Sequence, residues 1–263
     1  MADEEKMLVG GVANAGAVTR VGDAVCRPWN EFTPSAHRFL DDVRDAGFEG
    51  VQRPMGAHED GRERLSFVPG EVPLPPYPHW AQTDEALTSL AALMRQFHDA
   101  ARSVEVEGVW SSELADPLDG PIICHNDVCL ENVVFRNGSA IALLDWDFAA
   151  PGRPVYDLAQ MARMCVPIDD DVSASRLGWE GKNTPERLRL VSDVYGLDGQ
   201  ERAVLLSIVD DTMRTGGLFV LRRVEAGDTN FIRMWESMGG MGRYDRRRAW
   251  WSIVRDEFAQ ALR

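Results

Sequence analysis

Lysine is nearly absent from this chain. Of its 263 residues, only Lys6 and Lys182 are lysines, and every other residue among the 28 basic ones is arginine. Any chemistry built on a central lysine is therefore excluded. The four cysteines, Cys26, Cys124, Cys129 and Cys165, form no Cys-x-x-Cys pair. Cys124, His125 and Cys129 match no standard zinc-ligand spacing, so neither a zinc site nor a disulfide framework is expected. The first residues, Met1 to Met7, are charged rather than apolar, and no apolar run reaches the roughly 18 residues of a membrane span. These absences point to a reduced, cytoplasmic protein with no membrane partner. Positive charge is also short: the formal net charge is −14. Such a surface repels nucleic-acid phosphates, so no DNA or RNA partner is expected.

What remains is 44% apolar, enough for a packed interior and too long for one ordinary core. Residues 8 to 28 read as short strands around a glycine-bearing turn, Gly10-Gly11-Val12-Ala13-Asn14-Ala15-Gly16, with Gly22-Asp23 as a two-residue hairpin turn. Thr33-Pro34 opens a helix as cap and first residue, with Ala36, Phe39, Leu40 and Val43 on its apolar face, and Gly47 ends it. Strands are expected near Val51–Met55 and Arg64–Val68. A stiff proline-rich stretch follows, with Pro69, Pro73, Pro75, Pro76 and Pro78. The division expected is an N-terminal lobe (1–70), a connector (71–80) and a helical lobe (81–263). Helical spacing marks 84–101, 155–165, 185–195, 200–224 and 246–262.

One stretch of the helical half is different. Pro121–Cys124 is a short apolar run, His125–Asn132 a polar loop, and two further apolar runs flank Asn137-Gly138, the strongest short-range hairpin signal. With those two residues as the turn, Asn132 faces about residue 143 and Asp145 about residue 130. Cross-strand and diagonal neighbours lie roughly 5 to 8 Å apart, so Asn132 and Asp145 share a rim beside the loop bearing Asp127. Two such oxygen ligands, completed by phosphate and water, suit magnesium. The third carboxylate, Asp127, is then free to orient and deprotonate an attacking hydroxyl.

His125-x-Asp127-x-x-x-x-Asn132, then Leu144-Asp145-Trp146, then Tyr156-Asp157-Leu158-Ala159, resembles the catalytic loop, metal-binding strand and following helix of aminoglycoside phosphotransferases and related small-molecule kinases. The resemblance is specific over 121–159, looser through the helix ending Arg95-Gln-Phe-His98-Asp99, and weak after about residue 165. It implies an α+β, two-lobed, protein-kinase-like fold, with a small antiparallel sheet followed by a mostly helical lobe. The activity implied is transfer of the γ-phosphate of ATP or GTP to an alcohol group of a small molecule, with Mg²⁺ as cofactor. Asp127 takes the role of base, and Asn132 and Asp145 that of metal ligands. His125 and Asp157 are read as braces of the loop. Asp147 is either a second metal-side carboxylate or a capping residue.

Departures concentrate in the N-terminal part. Where kinase-like folds place a phosphate-holding lysine on the third strand, Ala24–Arg27 has none, and Arg27 is the best substitute. No acidic partner is assignable on the helix 34–46. Gly10, Gly11, Asn14 and Gly16 are candidates for backbone contacts to phosphates, and Phe67 and Val68 sit where the connector would meet the base. The acceptor remains open between antibiotics, amino alcohols and sugars. Asp147, Asp210, Asp211, Asp228, Trp235 and Glu236 are acidic or aromatic candidates for a cationic one. A monomer or homodimer is expected. The rival readings are a non-catalytic kinase-like protein that binds nucleotide or metabolite, which the missing lysine favours, and a haloacid-dehalogenase-like phosphatase, which Ala149 and the isolated Lys182 fit poorly.

Overall fold

The computed structural model describes residues 5–8, 12, 14–181 and 183–263. Gly10, Gly11 and Lys182 lie outside the described residues. Five short strands, β1 (Glu5–Met7), β2 (Thr19–Val21), β3 (Ala24–Arg27), β4 (Pro54–Ala57) and β5 (Glu63–Ser66), form an antiparallel sheet in the order β1-β2-β3-β5-β4. The β2–β3 hairpin turns at Gly22-Asp23, where Gly22 adopts φ 61°. β3 lies in the middle of the sheet, and all four of its residues, Arg27 included, are buried.

Between β3 and β4 lies helix α1 (Thr33–Asp45). Thr33 falls inside the helix and is not its cap: its hydroxyl accepts from the Asn30 amide at 3.0 Å. Phe39 and its apolar neighbours face the helical lobe, where the Phe39 ring meets Phe97 and Trp146 with centroids 6.2 and 5.5 Å away. This aromatic contact fastens the sheet to the rest of the molecule. The strand expected over 51–55 begins at Pro54 instead, because Val51 is drawn off to bridge Leu143 while Leu143 donates to the Gly50 carbonyl at 2.8 Å.

The proline-rich connector is anchored by reciprocal backbone bonds between Glu71 and Phe135, 2.8 and 2.7 Å. A Cβ at Gly70 would lie 2.6 Å from the Phe135 carbonyl oxygen, so this approach needs glycine. The helical lobe is built on α2 (Asp84–Ala101), capped by Thr83. Two small antiparallel pairs follow. β6 (Ile122–Cys124) pairs with β9 (Ala150–Gly152), and β7 (Val133–Arg136) with β8 (Ser139–Leu143). The β7–β8 hairpin turns through Asn137 and Gly138 at φ 53° and 77°. A bulge after Val134 moves the register by one residue, so Val133 faces Leu143 and Asn132 receives the Leu144 amide at 2.8 Å.

The remaining helices are α3 (Pro154–Cys165), α4 (Asp171–Arg176), α5 (Thr184–Tyr195), α6 (Gly199–Glu225), α7 (Thr229–Met238) and α8 (Gly240–Ala261). α8 begins earlier than its apolar periodicity announces, because the glycines at 239, 240 and 242 read as loop. α3 lies along α6, and α5 packs on α2 and α8. One core, centred on Phe97, Tyr156, Leu158 and Met161, runs beneath the β6–β9 and β7–β8 pairs. Among the described residues, no helix is long and apolar enough to cross a membrane.

Candidate active site

The loop after β6 is held from below by a carboxylate. Asp157, fully buried in the first turn of α3, accepts from the amides of His125 at 2.7 Å and Asn126 at 2.8 Å. His98 of α2 touches the same carboxylate at 3.0 Å and on its far side meets the Tyr195 hydroxyl at 2.7 Å. Burial alone would raise the Asp157 pKa, but the hydrogen bond from His98 and the charges around it bring it below the ordinary value. Asp157 thus stays ionised and grips the loop by charge-assisted bonds. His125 braces the loop from above: its Nε2 lies 2.8 Å from the Leu144 carbonyl, and the Asp127 amide lies 3.3 Å from its Nδ1. Burial lowers its pKa, so the ring is neutral, with Nε2 donating and Nδ1 accepting. Asn126 and Asp145, on either side of this brace, both take a left-handed backbone at φ 63°. For non-glycine residues that is a strained geometry, typical of places where a side chain must be aimed.

Asp127 and Asn132 are coupled directly. Asn132 Nδ2 donates to the Asp127 carbonyl at 2.9 Å and to its carboxylate at 3.2 Å. Burial first, and then the nearby Asp145 charge, push the Asp127 carboxyl up to about 8. Asp145 follows β8 on the same rim. Its Oδ1 receives Arg27 Nη1 at 2.8 Å.

Arg27 is the centre of the upper half. It ion-pairs with Glu63, Asp145 and Asp147. Burial alone would lower its pKa, but the three carboxylates raise it, so it is firmly charged. Glu63 is the partner that could not be assigned from the sequence. It stands opposite Arg27 in the β3–β5 register and is tied to α1 by His37 at 2.8 Å. Only the strand register reveals this pair. Asp147 gathers three donors: Arg27, Asn14 of the glycine-bearing turn at 2.8 Å, and Asn30 at 3.4 Å. Burial and Asp145 raise its pKa. Gly16, at φ 79°, closes the turn that carries Asn14.

Most of the other described candidates have partners of their own. The Phe67 amide already donates to the Asp23 carbonyl at 2.7 Å, and Arg20 covers its ring at 3.7 Å. Phe67 therefore does not offer that amide to a base, and Val68 follows it at the end of the N-terminal lobe. Asp228 caps α7 through the amides of Asn230 and Phe231. Asp210 is bound to Trp251 and Arg255, and Asp211 to Arg214. Trp235 is half-buried and Glu236 exposed on α7.

The rim suits a magnesium ion completed by a nucleotide. Asn132 turns its nitrogen toward Asp127, which leaves its oxygen facing away, and Asp145 keeps Oδ2 beyond its contact with Arg27. Among the described residues no three His, Cys, Asp or Glu side chains form a metal cluster. A hard cation here thus needs phosphate and water oxygens to complete its shell.

Comparisons with known proteins bear on the family and the fold. The profile of the phosphotransferase enzyme family matches residues 105–191. The trifolitoxin immunity protein of Rhizobium leguminosarum bv. trifolii is 32% identical over 210 residues, which span 76% of this chain and 77% of that protein. Among solved structures, the gentamicin complex of APH(2")-IIa superposes with a TM-score of 0.60 at 13% identity, covering 90% of this chain and 91% of that one. A choline/ethanolamine kinase family protein from Mesorhizobium loti gives 0.61 at 17% identity over 97% and 90% of the two chains. The fold is therefore the two-lobed, protein-kinase-like one.

Proposed function

Because the chain belongs to the phosphotransferase enzyme family, we propose that it moves the γ-phosphate of ATP or GTP onto a hydroxyl of a small-molecule acceptor. The observation that carries this reading is the convergence of Asp127, Asn132 and Asp145 on one rim, beneath a buried cation and a glycine-bearing turn. Asp127 takes the proton of the acceptor hydroxyl. Its raised pKa makes it a base of useful strength near neutral pH, and Asn132 fixes its orientation. Arg27 offers a guanidinium fork to phosphate oxygens in place of a lysine ammonium. Asn132 and Asp145 would hold Mg²⁺, which when bound neutralises phosphate charge. Asp157 and His125 keep the loop rigid, so that the base does not drift from the acceptor.

In this reading residues 1–70 bind the nucleotide, 71–80 connect, and 81–263 carry the catalytic loop and the acceptor pocket, in the cytoplasm where the donor is made. The immunity protein among its relatives and the antibiotic complexes among its structural neighbours support an acceptor that phosphorylation disarms. A second reading, a nucleotide sensor without turnover, draws support from Arg27, which is held by the carboxylates that would serve the metal. Formation of ADP or GDP with and without Mg²⁺, across hydroxyl-bearing acceptors, separates the two. Nucleotide binding without Mg²⁺-dependent turnover of any acceptor would overturn the kinase reading.

A further inference from the structure

Helix α3, tied to the catalytic loop by Asp157 and Cys165, carries a polar stripe that lies against α6. Tyr156, Gln160 and Arg163 lie at positions i, i+4 and i+7 of that helix, on one face. All three have unused hydrogen-bonding capacity. Among the described residues, the Gln160 Nε2 and Arg163 Nε atoms are shielded from solvent and have no partner. The buried Tyr156 hydroxyl lies beside Thr215 yet makes no hydrogen bond of normal geometry. Arg163 gives one bond, to Gln160 Oε1 at 3.2 Å, and no carboxylate of the described residues lies within ion-pairing distance of it. The C-terminal end of α3 is tied to the catalytic loop by Cys165, whose thiol lies 3.6 Å from the Val128 carbonyl. The guanidinium lies over Gly216 of α6, where an added Cβ would be 3.2 Å from Arg163 Nη2.

More positive charge stands behind it. Arg243 and Arg247 of α8 share the single carboxylate of Asp169, and Arg246 approaches Asp170 at 3.4 Å with a buried Nη2 left unpartnered. Four arginines here meet two aspartates, in a protein whose net charge is −14. Burial and the neighbouring Arg247 pull the Arg163 pKa down to about 10, so it remains a cation. Arg163 is half-buried, and a charge withdrawn from water without an ion-pairing carboxylate is costly to stability. Asp127 and Asp169 act on Arg163 only at a distance, and neither forms an ion pair with it.

We propose that Arg163 binds an anionic group of the acceptor, a carboxylate or a phosphate, while the acceptor hydroxyl lies against Asp127. This rests on the kinase reading and deepens it. It is opposite in sign to a cationic acceptor, whose acidic candidates Asp210, Asp211 and Asp228 are engaged elsewhere. The hydroxyl oxygen forms its bond to the γ-phosphorus as the bond from that phosphorus to the β-bridging oxygen breaks. The hydroxyl proton passes to Asp127, and the products are a phosphate ester and a nucleoside diphosphate. Gln160 and Tyr156 supply the further hydrogen bonds that orient the anion. A guanidinium suits this role because it grips two oxygens at once.

The test is calorimetric titration of inorganic phosphate, glycerate and glycerol at constant ionic strength, with Mg²⁺ and ADP saturating so that the nucleotide site is filled. Phosphate or glycerate should saturate a single site and glycerol should not. The tighter of the two anions identifies the group. Arg163→Gln should weaken that anion at least tenfold, with partial recovery in Arg163→Lys. Gly216→Asp places a carboxylate beside Arg163 without deleting it and should cause a similar loss, which keeps the test alive if Arg163→Gln fails to fold. No saturable anion, or equal affinity in these variants, overturns the proposal. The kinase reading is judged separately, by Mg²⁺-dependent ATP or GTP binding and turnover in the unsubstituted protein.

Discussion

Asp127→Asn should stabilise the nucleotide-free protein while abolishing most of its turnover. The folded protein holds the Asp127 carboxyl at about 8, against an ordinary value of 3.8. Between those values the folded chain keeps a proton that the unfolded chain has released. Stability is therefore lost as pH rises through this window, and the loss levels off above about 8. Each pH unit in the window corresponds to about 1.4 kcal/mol, which sets a ceiling near 6 kcal/mol. The side chain is partly open to solvent, and effective dielectrics at such sites are high, so about 2 kcal/mol is the expected gain. Asparagine keeps the shape, carries no charge and does not titrate. For a chain of this length that gain amounts to a Tm rise of about 4–8 °C. The assay is thermal unfolding without metal or nucleotide at several pH values from 4 to 8. The two proteins should nearly coincide at pH 4 and diverge steadily towards pH 8. A gap that does not depend on pH, or a variant less stable than its parent at pH 8, would refute the electrostatic account. Turnover should fall on the order of 100-fold or more, and near-normal turnover would remove Asp127 from the role of base.

Asp145→Ala should abolish the strengthening of nucleotide binding by Mg²⁺, read by calorimetry with and without the ion; an undiminished effect would exclude Asp145 as a ligand. Arg27→Ala should weaken triphosphate binding by roughly 1.5–3 kcal/mol, the scale of hydrogen bonds to charged groups, and leave adenosine binding nearly unchanged; equal losses for both would indicate damage to the lobe instead. Asp157→Ala leaves two loop amides and His98 without their acceptor, so denaturant unfolding should show a loss of about 3–5 kcal/mol, and a loss below about 1 kcal/mol would show that the loop does not depend on it. Gly120→Ala would place a Cβ 2.0 Å from the Gly152 backbone carbon and should cost about 2–3 kcal/mol by the same measurement; parental stability would mean that this segment can yield.

The site was legible in the sequence where its geometry is local. Asn137-Gly138 demands a tight hairpin, and the hairpin brings Asn132 and Asp145 to one rim whatever surrounds it. The apolar spacing of residues 84–101 specifies α2 because one face must be buried. Distant pairings carry no such local mark. Glu63 becomes the partner of Arg27 only through the β3–β5 register. β9 was hidden because Ala150-Pro151-Gly152 reads as a turn. Proline is tolerated there because the β6–β9 pair has two strands only, so each is an edge. α4 is six residues long, with too few apolar residues to give a period, whereas Phe231, Ile232, Met234, Trp235 and Met238 do follow helical spacing in α7, a ten-residue segment set between glycine turns at 227 and 239. Arg163 carried no signal at all: its isolation depends on Gly216, more than fifty residues away, lying against it from another helix.

The arginine that replaces lysine changes the charge logic of the rim as well as its shape. One guanidinium faces Glu63, Asp145 and Asp147, so the ionised rim is net negative and repels a polyphosphate. A divalent cation at Asn132 and Asp145 would reverse that balance and release Arg27 from Asp145 toward the phosphates. Asp147, which also holds Asn14 and Asn30, would still anchor the glycine-bearing turn above the cleft. A lysine would present a compact, strongly hydrated point charge and could not span three carboxylates on different elements. The fork of Arg27 does, and it thereby joins β3, β5 and the strand end after β8 in a single contact. The missing lysine and the clustered aspartates thus belong together: a chain that relies on arginine here needs enough carboxylates to compensate a buried guanidinium, and on the proposed reading a nucleotide would enter only in company with a cation.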